Sequence, residues 1–228
     1  LGLAQASKII RQRPDLLKEL NNNVTGNEVA FGTIGDASTS EGMFWEAMNA
    51  AGVMQVPVVM SVWDDGHGIS VPKEFQTIKE SISEALSGFQ RTDDKKGFEI
   101  LKTKGWDYPH LVLTYEKAVK IAREEHVPVL VHVEEVTQPQ GHSTSGSHER
   151  YKSPERLQWE KDFDPIKKMK EFILSKELST EEELEEIEKR ARKDARDAKT
   201  NAWKSFLEPI KHEHKEAVDL ISAMGAES

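Results

Sequence analysis

The chain has 228 residues, with 31 Lys and Arg against 40 Asp and Glu, a formal charge of −9 and no cysteine. The acidic balance argues against a nucleic-acid partner, whose phosphates call for a basic face, and the lack of cysteine excludes disulfides, thiolate catalysis and thiolate metal sites. No run of 18 apolar residues offers a membrane-spanning helix, so no membrane partner and a cytoplasmic location are expected.

This length has room for one α/β domain with an appendage. The first residues, Leu1 to Ala4, read as the middle of a helix without a start Met, and the chain is expected to be an excerpt of a longer one. Small and apolar residues at helical spacing predict a helix over 2–12, and Pro14 can open a short second one because proline is tolerated in a first turn. Asn21 to Gly26 reads as a surface loop.

Residues 35–72 hold the first informative pattern. A short apolar run over 29–34 stops at Gly35-Asp36, and the polar turn Ala37 to Ser40 offers Ser and Thr as helix N-caps. Phe44, Ala47, Met48, Ala51 and Met54 recur at helical spacing, which gives an apolar face small enough to lie close on a sheet. Val56 to Val62 is almost wholly apolar, as expected of a strand buried on both faces, and it ends in Trp63-Asp64-Asp65-Gly66. A βαβ unit of this kind is parallel, so Asp36 and Asp65 come to the same sheet edge, where ligands of open parallel sheets bind. Two carboxylates there, beside the N–H groups of a helix start, suit a divalent cation bridging protein to phosphate. On spacing alone, a capped turn and a strand end account for the two acids about as well.

Farther on, Pro72 to Thr77 predicts a helical turn, Ser81 to Phe89 a helix, 98–101 a strand and 111–125 an amphipathic helix with Leu113, Ala118, Val119 and Ala122 on one face. That helix runs into His126-Val127-Pro128 and an apolar strand, which echoes Gln55-Val56-Pro57 and predicts repeated βα architecture. His132, inside the strand, reads as a packed or edge histidine, and Trp45, Trp63 and Trp106 as packing residues. A long polar loop follows over 134–158. It leaves a strand's C-terminal end, where catalytic residues are commonly placed, and its His142 and His148 can exchange protons near neutral pH; a Ser/Gly-rich connector is the plainer account.

From Asp164 the composition turns helical and charged. Thr180 with Glu183 fits a capping box, and the thin, Ala-rich stripe from Leu184 to Phe206 suits a helix lying on a neighbouring surface. Pro209 is expected to end or kink that helix, and 211–228 to be a linker or the start of a further segment. The expected organisation is therefore a parallel sheet flanked by helices over 1–160 and a charged helical extension over 161–228.

Gly35-Asp36-Ala37, closed by the acidic pair Asp64-Asp65, resembles the thiamine diphosphate motif, Gly-Asp-Gly/Ala ending in Asn-Asn. Ser40-Glu41-Gly42, Glu46-Ala47, Asn49 and Gly66-x-x-Ile69-Ser70-x-Pro72 narrow the match to the α part of the decarboxylating component of 2-oxo acid dehydrogenase complexes. Gly141-His142-Ser143-Thr144-Ser145 with Arg150-Tyr151 resembles that family's active-site loop. The chain departs from the family in Asp64-Asp65, where Asn-Asn is usual, and around Gln138, where the family's diphosphate-binding Arg is missing.

The resemblance implies the thiamine diphosphate-binding fold, with thiamine diphosphate and magnesium as cofactors. Magnesium falls to Asp36, Asp65 and the His67 carbonyl, the cofactor to Gly35, Asp36, Ala37, Ser38, Ile69 and Ser143, and the catalytic part to His142. It implies oxidative decarboxylation of a 2-oxo acid with acyl transfer to lipoyl. The implied partners are a β-subunit-like domain, in the same or a separate chain, a lipoyl acyltransferase core and a further copy in a homo-oligomer; the isolated piece is expected to be inactive. A transketolase-like or acetoin-cleaving relative and an inactive scaffold half stand as alternatives.

Overall fold

The computed structural model describes residues 1–18, 24–142 and 147–226, in two compact units, Leu1–Met169 and Lys170–Ser228. In the first unit four strands form one parallel sheet in the order β1-β2-β6-β5: β1 Ala30–Gly35, β2 Val58–Trp63, β5 Glu99–Lys104 and β6 Val129–Glu134. A small antiparallel hairpin, β3 His67–Gly68 with β4 Val71–Pro72, stands directly after β2. Helices α1 Gly2–Gln12, α2 Gly42–Met54, α3 Ile82–Ala85 and α4 Tyr108–Glu125 surround the sheet, and α5 Pro154–Asp162 follows the long loop.

Strand alternation sorts the core into two faces. Val59, Val129, Val131 and Val133 meet Ala118, Ile121 and Ala122 of α4. Val62 and Leu130 meet Phe44 and Met48 of α2, with Ile82, Leu86 and Phe98. Both faces of β2 and β6 are therefore covered, as their β-branched sequences require.

The Val-Pro echo is built twice in the same way. Helices α2 and α4 each end in a left-handed residue, Gln55 (φ 49°) and His126 (φ 55°), before the buried Val56 and Val127. A residue before proline avoids the α region, so the chain leaves the helix there and enters a strand.

Several boundaries differ from expectation. The turn Ala37–Ser40 is a 3₁₀ helix, and α2 begins only at Gly42, with Glu41 in the cap position and no side-chain cap bond. Helix α4 starts three residues earlier than expected, because the Asp107 carboxylate caps it by accepting from the His110 N–H, and Leu113 faces outward. The 81–89 helix is shorter: α3 ends at Ala85 and a 3₁₀ turn takes Ser87–Phe89. The Asn21 to Gly26 loop falls partly outside the described residues.

In the second unit α7 is one helix, Glu181–Ala226, that runs through Pro209, so residues 211–226 are helical and not a linker. Its start is the capping box: Thr180 Oγ1 accepts from the Glu183 N–H at 3.3 Å, and Glu183 Oε2 accepts from the Thr180 N–H at 3.2 Å. Ile187, Trp203, Phe206 and Ile210 are exposed along it.

Candidate active site

The C-terminal ends of β1, β2 and β6 are neighbours, and backbone hydrogen bonds carry their pairing beyond the strands. The Asp36 N–H donates to the Trp63 carbonyl at 3.1 Å, and the Asp64 N–H donates to the Val133 carbonyl at 2.8 Å. Asp36 therefore leaves β1 beside the point where Asp64-Asp65 leave β2, and the chain leaving β6 returns His142 to the same edge. A cleft of about 450 Å³ opens there, walled by Gly35, Asp36, Ala37, Ser38, His67, Ile69 and His142. Every expected site residue except two borders it. Asp65 instead lines a neighbouring pocket with Asp64, His67, Lys73 and Arg156, and Ser143 is outside the described residues. A larger groove, about 720 Å³, runs along α4 from Tyr108 to Glu124 and contains none of the strand-end carboxylates.

The acids are buried, and their environments separate them. Burial, reinforced by the charges of Asp64 and Asp65, pushes the Asp36 carboxyl up to about 7. Asp65 is likewise raised by burial, against the pull of the His67 N–H and of His142. Asp64 goes the other way: burial would raise it, but the His132 hydrogen bond and the Lys73 charge outweigh burial and hold it below the usual range.

Hydrogen bonding explains the division. Asp65 Oδ1 accepts from the His67 N–H at 3.1 Å, while its Oδ2 is buried without a hydrogen-bond partner, 3.4 Å from His142 Nε2. Hard carboxylate oxygens short of positive charge are what a divalent cation binds. Among the described residues no three His, Cys, Asp or Glu side chains cluster as a metal site. Asp36 and Asp65 are the two buried carboxylates at this edge that could hold such a cation.

The hairpin is strained and close-set. Ile69 has φ 60°, an outlier for a β-branched residue, and its side chain is 63% exposed. A Cβ on Gly68 would come within 2.8 Å of the Ala37 Cβ, so only glycine lets the hairpin lie against the Ala37 turn.

Sequence reasoning missed the residues behind the cleft. His132 is fully buried and bonds Asp64; it is a partner of the acidic pair and not merely a packed histidine. Arg156 on α5 donates from Nη2 to the Asp65 carbonyl at 2.9 Å and from Nε to Glu160 at 2.9 Å; Glu160 also pairs with the buried Lys152 at 2.7 Å. Positive charge therefore reaches the acidic turn from α5 and Lys73, although the Gln138 position carries none. The one available signal was a histidine amid β-branched residues, two positions from a strand end. Trp106 packs against Phe163, whereas Trp63 is half exposed.

An open parallel sheet with buried carboxylates and a histidine at adjoining strand ends defines a ligand-binding α/β protein of the cofactor-dependent kind. The chain belongs to the dehydrogenase E1 component family, whose model matches residues 2–210. It is 25% identical over 172 residues to the pyruvate dehydrogenase E1 component subunit alpha of Rickettsia bellii, covering 75% of this chain and 50% of that protein. It is 29% identical over 179 residues to the protein of the same name from Staphylococcus aureus (75% and 45%). It is 29% identical over 178 residues to the 2-oxoisovalerate dehydrogenase subunit alpha, mitochondrial, of Dictyostelium discoideum (77% and 38%). The chain thus spans half or less of each of these relatives' length.

Proposed function

We propose that this chain is the metal- and diphosphate-binding part of a thiamine diphosphate-dependent 2-oxo acid dehydrogenase, oxidatively decarboxylating a 2-oxo acid and passing the acyl group to a lipoyl group. The observation that carries the reading is Asp65 Oδ2, buried without a hydrogen bond and 3.4 Å from His142 Nε2, next to a cleft that Asp36 and His142 line. Bound thiamine diphosphate would supply the electron sink that decarboxylation needs.

The chain's own residues then position and balance charge. Asp36, Asp65 and the His67 carbonyl hold magnesium, and that charge offsets both the two carboxylates and the diphosphate. Backbone groups of Gly35 to Ser38, with Ser143, meet the diphosphate. Ile69, held exposed by its left-handed backbone, presses an apolar wall against the cofactor. His142, with its Nε2 3.4 Å from Asp65, orients substrate and diphosphate. A β-subunit-like domain completes the site, and a lipoyl acyltransferase core receives the product.

The test is calorimetric titration of thiamine diphosphate with magnesium into the protein assembled with its β-type partner. Asp65→Ala should lose magnesium-dependent cofactor binding while the assembly remains intact; wild-type affinity in that variant would remove Asp65 from the site.

A further inference from the structure

Asp64 and Asp65 are adjacent in sequence but opposite in use. Every polar atom of Asp64 is taken up by protein. Its N–H donates to the Val133 carbonyl at 2.8 Å, and its carbonyl accepts from the Val136 N–H at 2.9 Å. Its Oδ1 accepts from the Gly66 N–H at 2.8 Å. Its Oδ2 accepts from His132 Nε2 at 3.0 Å and from Lys73 Nζ at 3.2 Å. The carboxylate is 3% exposed as a residue, so none of it is left for a metal.

The donors come from separate parts of the fold. His132 comes from β6, and its Nδ1 lies 2.8 Å from Ser83 Oγ, the first turn of α3; Ser83 Oγ is 3.1 Å from Ser81 Oγ. Because Asp64 only accepts when ionised, His132 Nε2 carries a proton and donates to it, while Nδ1 and the Ser83 hydroxyl share the second hydrogen bond. Lys73 follows β4, and its own N–H donates to the Gly66 carbonyl at 3.0 Å. Asp64 therefore ties the two ends of the β3–β4 hairpin to each other, to β6 and, through His132, to α3. That hairpin carries His67 and Ile69.

We propose that Asp64 is the hub that positions the His67–Ile69 hairpin, with Lys73 and His132 as its positioning partners, and that it does not ligate the metal. The consequence for cofactor binding rests on the functional reading above. The chemistry explains why an acid stands here. A carboxylate accepts from three donors at once, whereas an amide would turn its NH2 towards one of them and leave a buried donor unpaired. The added negative charge is met in part by Lys73 in direct contact, although it still reaches Asp36.

Hydrogen exchange on the intact, cofactor-free protein decides the matter. Lys73→Met is the main variant, because the Lys73 side chain is 36% exposed and its removal leaves the core unchanged; His132→Gln and Asp64→Asn accompany it. Each should speed exchange of amides 66–71 tenfold or more without changing those of β1 and α4. Lys73→Met combined with Asp64→Asn should be no worse than the worse single change. Magnesium-dependent thiamine diphosphate affinity should fall about tenfold in Lys73→Met. Unchanged hairpin exchange in Lys73→Met, or faster exchange with cofactor affinity intact, overturns the proposal. Wild-type protein that takes up no cofactor would instead remove the functional reading, and the cofactor-free exchange would still decide whether Asp64 holds the hairpin.

Discussion

Replacing Glu160 by leucine should be among the most damaging single changes in this protein, although Glu160 lies outside the cleft. Glu160 is 1% exposed, its partner Lys152 is fully buried, and their charged atoms are 2.7 Å apart. In Glu160→Leu the Lys152 ammonium stays in the interior with its counter-charge gone. Removing one partner of a buried pair costs about 3–5 kcal/mol, since the remaining ion is neither paired nor solvated. Arg156 cannot make up the loss, because it carries the same sign as Lys152 and turns to Asp65 and Trp159. For a unit of this size each kcal/mol moves Tm by roughly 2–4 °C, so the variant should melt about 10 °C lower. Lys152→Met with Glu160→Leu removes both charges and should regain most of that loss. Urea denaturation and calorimetry of the intact protein measure both variants. A single variant within about 1 kcal/mol of wild type, or a double variant as unstable as the single, would refute the reasoning.

Two further outcomes follow from the cleft. The Asp36 carboxyl is raised to about 7 in the folded state from an ordinary 3.8. The folded protein therefore binds a proton that the unfolded chain releases, and the contribution of Asp36 to metal-free stability should be full below about pH 4, be lost as pH rises through about 7 and level off above it. Asp36→Asn should flatten that fall, and magnesium should oppose it; a metal-free stability independent of pH across this window, in wild type, would contradict the burial of Asp36. Ile69→Gly should raise stability by about 1 kcal/mol, because glycine takes φ 60° without the left-handed cost, while lowering turnover through loss of the apolar wall. A less stable Ile69→Gly protein would show that the strain is not stored there.

Much of the fold was legible because periodicity reports burial directly. The two Val-Pro strands, the α2 face and the Thr180–Glu183 cap rest on contacts within a few residues, and each formed where the spacing placed it. Pro209 was expected to end or kink its helix, and the helix continues through it, since one lost hydrogen bond did not outweigh the helix on either side. The convergence of Asp36, Asp65 and His142 was also legible, because a parallel βαβ unit returns every strand end to one edge. What the sequence by itself determined, then, is the fold class and the edge at which chemistry collects. What Asp64 does was not determined, because Asp64 and Asp65 are chemically the same and only the resemblance singled out Asp65. Their roles were decided by donors far away in the chain: His132, which the pleat of β6 points to one face, Lys73 across the hairpin, and Arg156 on α5. Such contacts depend on where three elements meet, and no local pattern of residues encodes that meeting.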